Sequence, residues 1–183
     1  MPPSPSDRAD LVSFHERLGW WGLFAFAAIG LVLEALHGFK VQAYLSVASE
    51  TRRLVLTLGH AHGALLALVH LAFASALARD PARFDGLAGA SRWLTAALVL
   101  LPGGFLAGAF GAHGGDPGPA VALVPVGGVA LLVGLARVAR NVATGRPSPK
   151  PPATTATTDR GGAASSPRPG TVDAAEDAAD GPA

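Results

Sequence analysis

The 183-residue chain has no cysteine. That removes disulfides, thiolate-bound metals and iron–sulfur clusters, and leaves histidine and carboxylate as candidate ligands. Charge is also scarce: 15% of residues are charged and the net formal charge is +1, whereas half are apolar and the mean hydropathy is +0.37. Such a balance excludes an ordinary soluble domain and gives nucleic acid no basic surface to bind. Neither a nucleophile–base arrangement nor a phosphate-cradling loop is found, so no catalytic residue is expected. The opening Met1-Pro2-Pro3-Ser4-Pro5 lacks the basic region and cleavage site of a secretory signal, so the first hydrophobic segment is expected to persist as a span.

What the chain does have is four long apolar segments, at about 18–36, 54–77, 93–113 and 120–138. Each is long enough to cross a hydrocarbon core of about 30 Å at 1.5 Å per residue. The expected fold is all-α: an integral membrane four-helix bundle over 17–142, preceded by a polar segment (1–16). A disordered, Pro/Ala/Thr/Ser-rich tail is expected over 143–183. Trp20, Trp21 and Trp93 begin spans at positions suited to the interfacial belt. Pro102 and Pro125 fall inside spans three and four, where kinks are expected, and Gly104 and Gly108 form a G-x-x-x-G pair that would admit a neighbouring helix.

Of fourteen basic residues, twelve are arginine, in a chain rich in Ala, Gly and Pro; this bias is typical of GC-rich bacterial genomes. With four spans, both termini and the connection between spans two and three share one side, which holds eleven of the fourteen. Lys40, Arg52 and Arg53 alone lie on the other. The positive-inside rule then predicts a multi-pass protein of the inner (cytoplasmic) membrane with both termini in the cytoplasm.

In this topology His37, His60, His62 and His113 fall toward the outer side, with Glu34 one helical turn before His37. A carboxylate inside an apolar helix is a functional-site hypothesis. His70 lies deeper in span two, and His15 is expected to be an interfacial residue at the cytoplasmic start of span one. His60 and His62 point to nearly opposite faces of one helix, so that helix is expected to serve two neighbours.

Three readings fit the outer cluster. His37, His60, His62 and His113 could supply axial ligands to haem b for electron transfer, sensing or cofactor handling. Alternatively Glu34, His37, His60 and His113 could hold Cu, Zn, Fe or Mn. In the third reading there is no cofactor: the polar residues tie helices together in an accessory membrane subunit, bound to other membrane subunits or to copies of itself within the lipid bilayer. A small transporter, with polar residues such as His70 through the membrane depth, is a further option.

The segment Leu58-Gly59-His60-Ala61-His62-Gly63-Ala64-Leu65 resembles the H-x-H helix of haem–copper oxidase subunit I, particularly the cbb3-type form. The resemblance implies histidines ligating different haems on opposite sides of one helix. The chain lacks that family's dozen spans, copper-binding His-His pair and oxygen-site tyrosine, so oxygen reduction is not implied. Ala35-Leu36-His37-Gly38-Phe39-Lys40, His60-Ala61-His62-Gly63 and Leu101-Pro102-Gly103-Gly104-Phe105 together are similar to a group of small four-helix bacterial membrane proteins. That similarity implies the fold and no activity.

Overall fold

The computed structural model describes residues 5–79, 84–113 and 115–144, and these are almost wholly helical. The elements are α1 (Pro5–Gly38), the short α2 (Gln42–Leu45), α3 (Glu50–Arg79), α4 (Phe84–Phe110) and α5 (Leu123–Thr144). Short 3-10 turns at Val47–Ser49 and Pro119–Ala122 lead into α3 and α5. The four long helices are each long and apolar enough to cross a membrane. All but two residues of the expected tail, 145–183, lie outside the described residues.

Helix ends depart from the expected spans for local reasons. Residues 5–16, expected as a polar segment, continue α1 as helix; Pro5 suits a first turn because its missing N–H has no helical partner there, and Asp7 complements the helix dipole. At its other end α1 stops where Lys40 takes a left-handed conformation (φ 53°). Helix α4 runs through Pro102 but ends at Phe110, so His113 lies beyond it, in a turn paired to Asp116. Pro125 is the third residue of α5 and costs no helical hydrogen bond, which corrects the expected mid-span kink.

The extensive interfaces join consecutive spans: α1 on α3, α3 on α4, and α4 on α5. Small residues set these contacts. A Cβ at Gly19 would stand 2.6 Å from the Leu71 side chain, and one at Gly127 would stand 2.5 Å from the Leu101 backbone nitrogen. Gly104 and Gly108 do receive a neighbour: they face Ala120 and Val121 of the 3-10 turn and Leu123 and Val124 at the start of α5, and Gly118 N–H donates to the Gly108 carbonyl (2.8 Å). Two apolar clusters fill the interior. One gathers Phe73, Leu77, Leu87, Ala90 and Leu94 near the end that bears the termini, and the other gathers Leu66, Leu98 and Leu101 further in.

The two helices that flank this arrangement are the least covered. Only 11% of the most apolar stretch of α1 and 17% of that of α5 is buried, against 39% and 44% in α3 and α4. Their outward residues include Trp20, Trp21, Phe24 and Leu31 on α1 and Val126, Val129 and Leu132 on α5. Large exposed apolar faces of this kind suit a hydrocarbon surrounding and not water.

Candidate functional site

Among the described residues, the most buried polar constellation is a pair of histidines with a serine partner. His15 on α1 and His70 on α3 are fully buried. Their Nδ1 atoms are 2.7 Å apart, and His15 Nε2 lies 2.8 Å from Ser91 Oγ on α4. One hydrogen-bonded chain therefore ties three helices together. The imidazoles overlap with centroids 4.8 Å apart, while Phe73 and Phe14 meet His15 edge-on at 4.7 and 5.1 Å. Aromatic and aliphatic walls thus keep water from the pair, which raises the cost of any unmet polar atom.

Each imidazole carries one N–H and one lone pair, so either ring can donate across the Nδ1–Nδ1 contact. The His70 ring also lies beside the Leu94 backbone, so α4 meets both members of the pair. A metal ion bridging two imidazoles would hold their nitrogens more than about 3 Å apart, so the 2.7 Å contact is a hydrogen bond and not a ligand pair.

This placement overturns the expectation for His15, which is an interior residue and not an interfacial one. The signal lay in the spacing: His15, Gly19, Gly22 and Phe26 recur at helical intervals, and Leu71 and Ala67 of α3 lie against the two glycines. Extending the helix back to Pro5 puts His15 on that packed face. Ser91 went unnoticed because an isolated serine at a span boundary has no distinguishing pattern.

The other candidate residues are arranged differently. Glu34, His37 and His113 are exposed, while His60 and His62 are half-buried. His60 packs where a Cβ on Gly30 of α1 would be 2.7 Å from its Cε1, and its Nδ1 is buried without a partner. His62 turns instead toward Phe105 of α4 (ring centroids 5.3 Å), with Nδ1–H donating to the Leu58 carbonyl (2.8 Å). The H-x-H segment therefore addresses two different helices. His37 lines a polar cavity of about 310 Å³ with Tyr44, Glu50, Arg53, Leu54 and Thr57. There Arg53 donates to the Tyr44 and Ser46 carbonyls at 3.0 and 3.2 Å, fastening the α1–α3 connection. His113 Nδ1–H donates to the Gly111 carbonyl (2.8 Å). Among the described residues no three His, Asp or Glu side chains come close enough to hold a metal ion. Glu34, His37, His60 and His113 thus form no such group.

In comparison with known proteins, no family model, curated protein or solved structure matches the chain.

Proposed function

We propose that the chain is a non-catalytic accessory protein of the cytoplasmic membrane, with both termini in the cytoplasm, whose internal histidines join its spans. The observation behind this reading is the His15–His70–Ser91 chain. It links α1, α3 and α4, and both of its imidazoles are fully buried. Interhelical hydrogen bonds of this sort hold membrane helices in register where lipid supplies no hydrophobic drive to associate. The sparsely covered faces of α1 and α5 are the surfaces by which such a subunit would meet lipid or other membrane subunits.

A second reading, haem b or a transition metal at the outer side, draws on one feature. The Nδ1–H groups of His62 and His113 are both occupied by backbone carbonyls. That fixes the tautomer in which Nε2 presents its lone pair, as in ligating histidines. Protein purified in mild detergent after growth with haem precursor decides between the two. The accessory reading expects a featureless visible spectrum in oxidised and dithionite-reduced samples, with metal well below one equivalent. A Soret band lost in His62→Ala or His113→Ala would replace it with the haem reading.

A further inference from the structure

The last two turns of α5 hold a feature that neither reading uses. Arg137 and Arg140, with Val133 and Ala136, line a cavity of about 410 Å³. Both arginines are exposed, and neither guanidinium has a hydrogen bond or ion pair with another described residue. Gly89 of α4 lies against Arg137: a Cβ there would stand 3.2 Å from its Nη1, so the missing side chain gives that guanidinium its seat.

An apolar track leads away from this pair. At about 100° per residue, Val126, Val133 and Arg137 fall within roughly 40° of one another on the helix, with Val129 and Arg140 beside them. Val126 and Val129 are 55% and 60% exposed. From Val126 to Arg137 the track covers about 16 Å at the standard rise, close to the roughly 15 Å hydrocarbon depth of one leaflet. Two planar cations at the end of the helix, above a valine-lined flank one leaflet deep, match an amphiphile with a negative head. The guanidinium fork suits phosphate oxygens, and basic pockets at the ends of membrane helices are where anionic headgroups settle.

We propose that this flank of α5 binds an anionic phospholipid, its phosphodiester held by Arg137 and Arg140 and an acyl chain lying along Val133, Val129 and Val126. Orientation of the chain by positive charge would require only that basic residues be present at this end. A lipid site requires these two guanidinium groups above this track.

The test is native mass spectrometry of the full chain released from nanodiscs that contain equal amounts of phosphatidylglycerol and phosphatidylcholine. Phosphatidylglycerol should be retained on the order of tenfold more than phosphatidylcholine. In Arg137→Gln/Arg140→Gln the two lipids should be retained equally. Arg137→Lys/Arg140→Lys keeps the charge and loses the fork, and should fall between. Arg79→Gln, at the same end on α3, should match the parent, and melting of all variants in pure phosphatidylcholine should agree with the parent within a few degrees. Equal retention of both lipids by the unmodified chain overturns the proposal, as does an undiminished preference in the Gln pair. Displacement of the lipid by millimolar inorganic phosphate overturns it too, because the site would then recognise a free anion.

Discussion

At the scale of the residue, the interior histidines are set apart from the outer ones by whether their polar atoms have anywhere else to go. His37 and His113 reach the surface, but His15 and His70 can satisfy their Nδ1 atoms only through each other. Replacing either ring by leucine keeps the volume and strands a buried partner, which costs about 1–3 kcal/mol. We expect His15→Leu and His70→Leu each to destabilise the protein by that amount in thermal or SDS unfolding. The double variant removes both polar groups at once, so its loss should fall short of the sum by about 1 kcal/mol. Additive losses would mean that the two rings are not coupled. Ser91→Ala removes only the partner of His15 Nε2 and keeps the His15–His70 contact, so its cost should be the smallest of the three substitutions. These residues also mark the limit of what the sequence conveys. The depth of His70 within an apolar run was evident, whereas the burial of His15 depended on α1 reaching back through polar turns to Pro5, which a hydropathy window does not register.

At the scale of the element, all four spans were legible because about twenty consecutive apolar residues admit few other interpretations. Their ends were less so, since apolar length says nothing of the polar turns a helix adds beyond the hydrocarbon. Hence α1 gains thirteen residues before Leu18, and α4 stops three short of His113. The glycine pairs announced close approach without naming the partner. On α5 the neighbours Gly127 and Gly128 separate the two roles a glycine can have in a span. A Cβ at 127 collides with the Leu101 backbone, which cannot swing aside, whereas one at 128 meets nothing within 4 Å. Gly127→Ala should therefore force α4 and α5 apart and destabilise by about 1–3 kcal/mol. Gly128→Ala should be neutral or stabilise by up to about 1 kcal/mol, through lower backbone entropy in the unfolded chain. Melting curves of the two variants in one detergent give the comparison; equal effects would place the α4–α5 contact elsewhere.

At the scale of the whole molecule, spans that pack chiefly on their neighbours in sequence leave the direction of the entire array to be set by charge. By sequence, eleven basic residues fall in the terminal segments and the connection between spans two and three, and three in the connection between spans one and two, an excess that should keep the arginine-rich side in the cytoplasm. Because the chain has no cysteine, a single introduced thiol reports its own side without background. Val47→Cys, in the α1–α3 connection, should react with a membrane-impermeant maleimide in intact spheroplasts. Ser148→Cys, in the tail, should react only after permeabilisation. The reverse pattern would invert the protein, placing His15 and His70 near the outer surface and the α5 arginines in the outer leaflet. Labelling of both positions in intact cells would show that chains insert in both directions. With the expected pattern, the His15–His70–Ser91 chain lies toward the cytoplasm, and Arg137 and Arg140 face the inner leaflet, where anionic lipid provides a countercharge.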